Sequence, residues 1–298
     1  MDTLTSMKVF TTVVDAGSFA AAAERLDISR AMASKYVAQL EEHLGTRLLH
    51  RTTRKLRLTE TGAAYHERCQ HILGEISEAE AQAANLTLQP RGTLRLAMPI
   101  SFSLRHVTPL LAGYLRQYPE VSIDATLSDR YGDLIEEGFD LALRIGPPPE
   151  GNLIARRIAS DRFAICATPA YLEKHGTPAT PEDLARHNCL LYSYSSAGTS
   201  WRLRGPDGAE HNVKVSGSLR ANNGDLLNQL GADGIGILRQ PCFLVGAQLR
   251  DGRLIEVLKE YRSDPIGIYA VYPSRRHLSA KIRTFVDYLA AHLKLAAE

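Results

Sequence analysis

Arg30, Ala31, Ser34, Lys35 and Ala38 form a strip that is small, polar and basic. At about 100° per residue these positions share one side of a helix. The chemistry such a strip supports is contact with a nucleic-acid duplex. Small side chains let the backbone sink into a major groove, Arg30 and Lys35 can meet phosphate or guanine, and Ser34 can donate or accept at a base edge. An ordinary solvated helix face has the same composition when it stands alone. The following segment tips the balance, because Arg47, Arg51, Arg54, Lys55 and Arg57 crowd it, with Leu48-Leu49 and Leu56 to Leu58 flanking a hairpin tip at Arg51-Thr52-Thr53-Arg54. From Arg30 to Arg57 seven Lys/Arg stand against Glu41 and Glu42, in a chain whose formal net charge is only +2. The nucleic-acid partner is therefore argued from local clustering and not from the total. The candidate DNA-contacting set is Ser29, Arg30, Ala31, Ser34, Lys35, Arg51, Thr52, Arg54 and Lys55.

A second set of polar residues falls where strands are expected to end. Leu94–Met98 reads as a strand and Leu104–Tyr118 as a helix, with Pro99-Ile100-Ser101-Phe102-Ser103 between them. In parallel sheets the ligand crevice lies outside the carboxyl ends of strands, where helix N-termini offer free N–H groups to an anion. Ser101, Phe102 and Ser103 are thus the leading candidates to contact a small-molecule effector. The same logic adds Ser128 after the strand Val121–Leu127, Arg144 near the end of the strand Leu141–Ile145, and Asn222-Asn223 ahead of a helix over Asp225–Gly231. A serine at such a place also serves simply as a cap, and Arg144 can hold either a ligand carboxylate or an internal ion pair. The loop Ser195-Ser196-Ala197-Gly198-Thr199 can close over a ligand or serve as plain surface.

Other chemistries find little support. Gly231-Ala232-Asp233-Gly234-Ile235-Gly236 lacks the order of a dinucleotide fingerprint and precedes a strand, so it reads as helix-ending turns. There is no G-x-S-x-G, H-E-x-x-H or Walker A pattern, and His106, His175, His187 and His277 have no sequence-local catalytic partner. His66, Cys69 and His71 lie close in sequence but share a face poorly and suggest no fourth metal ligand. The four cysteines, Cys69, Cys166, Cys189 and Cys242, are scattered without a Cys-x-x-Cys, which suits reduced structural thiols. The expectation is a protein that is not an enzyme, without catalytic residues, metal or cofactor beyond an effector of unknown identity.

The basic strip needs a scaffold, and the flanking sequence supplies one. Ser18 is placed to cap a helix whose apolar stripe is Phe19, Ala22, Ala23 and Leu26. Asp27-Ile28-Ser29 breaks the period, and Ser29 can cap a second helix that buries Ala33, Val37, Leu40 and Leu44 and ends at Gly45. Two helices joined by so tight a turn cross steeply. Leu4, Met7, Phe10 and Val14 give a preceding amphipathic helix that completes a three-helix core. Thr59 can cap a long helix to about Leu88 in which Tyr65, Cys69, Ile72, Ile76, Ala79, Ala83 and Leu86 keep a strict four-three spacing. Such a seam calls for a partner helix in a coiled coil.

Gln89-Pro90-Arg91-Gly92 marks a boundary. Beyond it strands and helices alternate, with Tyr131–Glu137 as a further helix, which argues for an α/β fold with mainly parallel sheet. A second α/β unit is expected over about 161–265, with strands at Phe163–Ala167, Val213–Ser216 and Ile235–Leu238. Ile266–Tyr272 and a helix over Ser279–Lys294 then return to the first. The organisation expected is 1–60 as a winged helix-turn-helix, 61–89 as a dimerising linker helix and 90–298 as a two-lobe domain, lobe 1 from about 91–160 and 266–298. Composition, 44% hydrophobic and 23% charged, is that of a globular chain, and no apolar run approaches the ~18 residues needed to cross a bilayer. Met1-Asp2-Thr3 begins without a basic n-region, so a cytoplasmic location is expected.

Phe10, Gly17-Ser18-Phe19, Ala22-Ala23, Leu26, Ser29, Ser34, Leu40-Glu41, Leu44-Gly45, Leu48, Arg51, Leu58-Thr59 and Gly62 together resemble the LysR-type transcriptional regulators at that family's spacings. So many positions in register are a far stronger signal than one helix-turn-helix pattern. His50, and Arg30-Ala31-Met32 at the start of the reading helix, depart from the usual residues and bear on base preference, not on DNA binding. The resemblance covers essentially the whole chain. It implies an α/β protein with an N-terminal all-α winged helix-turn-helix and a two-lobe effector domain similar to periplasmic solute-binding proteins. It also implies effector contacts in the Ser101–Ser103 loop and a homotetramer, where the seam by itself argues only for a homodimer. Double-stranded DNA, the effector and a second copy are the expected partners, RNA polymerase is a further candidate, and no membrane is involved. A solute-binding or enzymatic α/β protein with a vestigial N-terminal extension is the rival, and it would need an export signal or a catalytic constellation that the sequence does not display.

Overall fold

A computed structural model of the chain describes residues 2–50, 56–83, 89–130, 132, 134–148, 153–195, 198–273 and 278–295, with the side chains of 71, 77–79 and 81–83 also outside the description. Several expected features therefore lie outside the described residues: Arg51, Thr52, Thr53, Arg54 and Lys55 of the hairpin tip, Leu86 and the Ala79 and Ala83 side chains of the seam, the His71 side chain, Tyr131, Ser196-Ala197 and His277. The chain divides into two compact units, Met1–Leu88 and Gln89–Glu298.

In the first unit each helix begins at a residue whose side chain satisfies an otherwise orphaned N–H. Asp2 accepts from Leu4 and Thr5 at the start of α1 (Thr3–Asp15), and Ser18 accepts from Ala21 at the start of α2 (Phe19–Arg25). Ser29 accepts from Met32 at the start of α3 (Arg30–Leu44), which ends on Gly45 in the left-handed region at φ 66°. Strands β1 (Leu49–His50) and β2 (Arg57–Leu58) pair antiparallel, Leu49 opposite Leu58, and lead into α4 (Glu60–Ala83). The core joins Val9, Phe10, Val13, Ala22, Ala23, Ala33, Val37, Leu40, Leu48 and Cys69.

Two expected stripes differ. The buried face of α1 is Ser6, Val9, Phe10, Thr11 and Val13, while Leu4 is 45% exposed, because the core sits against the middle of the helix and not its first turn. Leu44 is also partly exposed, at 36%, since the chain turns away at Gly45 and the α3 core ends at Leu40 and Glu41. Where α4 starts, Thr59 Oγ1 accepts from Gly62 N at 2.9 Å and donates to Arg47 O at 2.7 Å. A Cβ on Gly62 would fall well inside van der Waals contact of the Leu48 carbonyl. Gly62→Ala is therefore expected to push the hairpin off α4 and destabilise this unit by about 1–3 kcal/mol, read as a lower melting temperature with the second unit's transition unchanged.

In the second unit β3 (Gly92–Met98) leads through α5 (Ile100–Phe102) and a π-helical turn (Ser103–Val107) into α6 (Thr108–Gln117), followed by β4 (Val121–Leu127), β5 (Leu141–Gly146) and β6 (Leu153–Asp161). The chain continues as β7 (Phe163–Ala167), α7 (Pro169–His175), a 3-10 turn (Pro181–Arg186), β8 (Cys189–Tyr192), β9 (Ser200–Arg204), β10 (Glu210–Lys214) and β11 (Arg220–Ala221). Then come α8 (Gly224–Ala232), β12 (Ile237–Pro241), α9 (Cys242–Arg250), β13 (Ile255–Val257), β14 (Ile266–Pro273) and α10 (Ala280–His292). These build two five-stranded sheets, β4-β3-β5-β14-β6 and β11-β8-β12-β7-β13, which define two lobes.

Period-two alternation explains the packing. In the first sheet Leu94, Leu96, Met98, Leu141 and Leu143 turn one face to Tyr114, Phe285, Val286 and Leu289 of α6 and α10. In the second, Ile165, Ala167, Cys189 and Leu191 pack against Tyr171, Leu184, Trp201 and Leu203, while Ala164, Cys166, Leu190 and Leu238 pack against Leu227, Leu244 and Val245 of α8 and α9. The crossings between lobes run side by side, Asp161 of β6 opposite Ile266 of β14.

The expected mainly parallel sheet proves mixed. Each sheet has two parallel and two antiparallel pairings, because β14 enters the first sheet, and β7 and β13 the second, running against their neighbours. No helix occupies the expected Tyr131–Glu137 stretch among its described residues; Leu134 to Gly138 forms turns. The expected strand Val213–Ser216 is instead β10, which pairs with β9 in a ribbon of its own. The expected Ile235–Leu238 strand starts later, at Ile237, since Gly234 and Gly236 keep the preceding residues in a turn.

Candidate functional site

The outward face of α3 carries the first constellation. Ala33, Val37 and Leu40 are buried on one side, and Arg30, Ala31, Ser34 and Lys35 are exposed on the other. Among the described residues no side-chain hydrogen bond or ion pair engages Arg30, Ser34 or Lys35. Ser29 Oγ accepts from Met32 N at 3.1 Å, which leaves its O–H free to donate outward. The turn ahead of it is tight: Asp27 sits at φ 53° and Ile28 N donates to Ala23 O at 3.0 Å.

Glu41, which the charge count treated only as an acidic residue, holds the hairpin to α3. It is 6% exposed, and its Oε1 accepts from Leu48 N at 2.9 Å and Leu49 N at 3.1 Å. Arg47 Nη1 lies 3.3 Å from Glu41 Oε2, so this arginine is tied inward at one end of the basic segment. On α4, His66 Nε2 lies 3.1 Å from Asp15 Oδ1. Tyr65 and Cys69 pack into the helical core, Tyr65 with its ring 5.9 Å from Phe10. The first two positions of the seam are thus used within the unit, and the face left outward starts at Ile72, 38% exposed.

The second constellation lies where the two sheets' strand ends meet. Ser101 and Ser103 are buried, 6% and 1% exposed, and neither hydroxyl has a hydrogen-bond partner. Phe102 is fully buried, its ring 5.1 Å from Phe243 of α9 and 5.3 Å from His106, so it serves the joint between lobes and not an open surface. Asn223 caps α8, its Oδ1 accepting from Leu226 N at 3.0 Å, and Asn222 Nδ2 donates to Tyr194 Oη at 3.2 Å. Ser128 Oγ accepts from Arg130 N at 3.1 Å, and Arg144 Nη2 donates to Gly132 O at 3.0 Å. Ser128 and Arg144 share a shallow, solvent-open hollow in lobe 1, with Thr126, Arg130, Leu134 and Phe139 among its other walls. The seven candidates therefore fall into three places: a buried pair of hydroxyls beside Phe102, a lobe-1 hollow, and the start of α8.

The N–H expected to wait for an anion is already taken. Ile100 N donates to Asp129 Oδ1 at 3.0 Å, because Asp129 follows β4, the neighbour of β3, and its carboxylate reaches across. Asp129 Oδ2 accepts from Asn223 Nδ2 at 3.3 Å. Burial, reinforced by the nearby Asp225 charge, raises the Asp129 pKa despite both hydrogen bonds. Asp161, half-buried like Asp129, accepts from Phe243 N at 2.7 Å and is likewise pushed up by its partial burial. Burial holds Cys189 near a pKa of about 12, a value for an inert thiol. Among the described residues no group of His, Cys, Asp or Glu is placed to hold a metal ion, and no helix is long and apolar enough to cross a membrane.

Comparison with known proteins decides the family. The LysR substrate binding domain matches residues 88–294, and the bacterial regulatory helix-turn-helix protein of the lysR family matches residues 4–63. The chain belongs to the LysR family of transcriptional regulators. It is 40% identical over 282 residues to an HTH-type transcriptional regulator of Haemophilus influenzae, covering 95% of this chain and 98% of that one. It is 37% identical over 288 residues to the HTH-type transcriptional regulator CrgA of Neisseria meningitidis, covering 96% of each. The solved CrgA structure superposes with a TM-score of 0.62 over 97% of this chain and 98% of that one. The full-length structure of the Vibrio cholerae virulence activator AphB, at 27% identity, gives 0.62 over 98% and 99%. This LysR-family chain thus combines a helix-turn-helix DNA-binding region with a two-lobe effector-binding region.

What sequence reasoning missed in this regulator is the polar bracing: Glu41, Asp129, Asp161 and the Arg105–Asp225 ion pair that joins the lobes. Only Glu41 carried a usable signal, as an acidic residue inside a basic stretch following a buried leucine.

Proposed function

We propose that this regulator reads double-stranded DNA with Arg30, Ala31, Ser34 and Lys35 in the major groove, with Ser29 and the hairpin residues Arg51, Thr52, Arg54 and Lys55 on the backbone. The observation that carries this is the exposed, unengaged state of Arg30, Ser34 and Lys35 opposite a wholly buried stripe of the same helix. The three-part division into 1–60, 61–89 and 90–298 goes with it, α4 acting as the dimerising arm and the working form being a homotetramer. Within the cytoplasm the partners are DNA, a small-molecule effector and, as a further candidate, RNA polymerase, and no step is catalytic. An effector that prefers one closure of the two lobes shifts the population of tetramer shapes and so the bend of the DNA.

The test is a salt titration on DNA from upstream of the protein's own gene. Lys35→Ala should weaken every sequence alike and reduce the slope of log affinity against log salt by about one. An unchanged slope and affinity would remove Lys35 from the interface.

For the effector, the reading rests on Ser101 and Ser103, whose buried hydroxyls are unsatisfied without a ligand. A buried polar group left without a partner costs about 1–3 kcal/mol. Replacing both by alanine should therefore leave the melting temperature unchanged or higher, while abolishing the effector-dependent change in transcription from a reporter. A double variant that melts lower and still responds would place the effector elsewhere, with the Ser128 and Arg144 hollow the next candidate.

A further inference from the structure

Arg239 of β12 is drawn into lobe 2 without a counter-ion among the described residues. Period two puts it on the face of Ile237, which packs with Ile165, Trp201 and Leu203, whereas Leu238 turns to the opposite core. On the neighbouring β7 it stands opposite Ile165, which makes Phe163 its diagonal neighbour, and the guanidinium carbon lies 4.1 Å from the centre of the Phe163 ring. Its Nε donates to Ser263 Oγ at 3.1 Å. Nη1 and Nη2 have no hydrogen-bond partner or ion pair among the described residues. Asp264, exposed, acts on the guanidinium through space but makes no ion pair with it. Burial pulls the Arg239 pKa down to about 10, which still leaves a cation at neutral pH. A desolvated cation without a counter-charge is costly, and an arriving anion offsets that cost.

The surroundings are arranged to receive one. Stacking on Phe163 fixes the plane of the guanidinium and leaves its Nη edge to meet two oxygens side by side. Ser263 Oγ accepts from Nε, so its own proton is left to donate. The loop that carries Ser263 is held at both sides: Leu258 leaves β13 in the left-handed region at φ 53°, and Arg262 exchanges backbone hydrogen bonds of 2.8 and 2.9 Å with Arg204 of β9. We propose that Arg239 and Ser263 form a binding site on lobe 2 for a small oxyanion, a carboxylate or phosphate group, apart from the serines at the start of α5. Ser263 lies just ahead of Ile266, where β14 enters the first sheet, so an anion held there also steadies one of the two crossings between the lobes.

This site goes beyond the effector reading and needs neither operator nor the hydroxyls of Ser101 and Ser103, so its failure leaves both assignments untouched. Trp201, the chain's single tryptophan, is buried in the lobe-2 core, and its fluorescence follows the melting of that lobe and not anion binding at the helix-turn-helix. The experiment melts the full chain in sodium phosphate and in sodium chloride of matched ionic strength and pH. The wild type should melt about 3–6 °C higher once phosphate reaches about ten times its dissociation constant, and the rise should follow a saturable curve. Arg239→Met keeps a stem on Phe163 and removes the fork, and should lose that rise whatever its own melting temperature in chloride. Asp264→Asn removes the neighbouring negative charge and should reach the same rise at about two- to threefold lower phosphate. Sodium acetate separates the sources: a rise in acetate as well assigns the site to carboxylates, and a rise in phosphate alone assigns it to phosphorylated molecules. No rise in the wild type, or a rise that Arg239→Met retains, overturns the proposal. So does a rise that appears only in Asp264→Asn, because Asp264 would then be the group that Arg239 holds.

Discussion

A Glu41→Leu chain is expected to lose DNA binding while every side chain of the α3 reading face stays in place. The carboxylate is almost wholly buried and accepts from the backbone of Leu48 and Leu49, while Arg47 reaches its second oxygen. Leucine fills the volume but leaves the two buried N–H donors of Leu48 and Leu49 without their acceptor. Arg47, 61% exposed, returns to water, so the cost is that of the buried donors, about 1–3 kcal/mol for each one left unsatisfied, a large share of the stability of a small helical unit. Because β1 begins at the residue that Glu41 holds, the hairpin should come loose before the helices do. Glu41→Gln, which keeps one acceptor, should recover part of the loss. Circular dichroism melts with band shifts on upstream DNA check this; a Glu41→Leu chain with wild-type melting and binding would show that the hairpin does not depend on this anchor.

Ile76→Glu is expected to split the oligomer at concentrations where the wild type stays associated. Tyr65 and Cys69 are spent on the helical core, so the outward face of α4 starts at Ile72, with Ile76 one turn further on. A glutamate there costs nothing in a lone helix, which leaves it in water, but each copy would carry a carboxylate into the seam of a coiled coil. At about 1.4 kcal/mol per tenfold, a penalty of a few kcal/mol per pair weakens association at least about a hundredfold. Sedimentation at low micromolar concentration reports it directly. If the variant keeps the wild-type mass, the dimer is made elsewhere.

The helical region was legible because its signals are local. Ser18, Ser29 and Gly45 cap or end helices within three residues of the groups they satisfy, and Ala22, Ala23, Ala33, Val37 and Leu40 repeat at helical spacing. Much of the first lobe was legible for a similar reason, since β3, β4 and β5 are short apolar runs bounded by turns. The strands that escaped, β6, β8, β9, β11 and β13, either alternate across an exposed edge or are too short to show a period. Strand direction was legible only in part: β3 pairs parallel with β4 and β5 as expected, but β14 returns from another lobe to pair antiparallel with β5 and β6. The same holds for the polar ties: Asp129 meets Asn223 across 94 residues and Asp161 meets Phe243 across 82, separations at which sequence spacing says nothing. That is also why Ser101 and Ser103 were recognisable as strand-end residues while the prior occupation of the Ile100 N–H by Asp129 was not.

The most direct test of the account is selection of bound duplexes from a random DNA pool by the wild type and by Ser34→Ala. If the outward face of α3 reads base edges, the wild type should enrich a defined sequence, and the alanine chain should enrich the same sequence relaxed at one position in each half-site, with about 1–3 kcal/mol less discrimination there. An identical sequence preference in both chains, or no enrichment by the wild type, would contradict the assignment of that face.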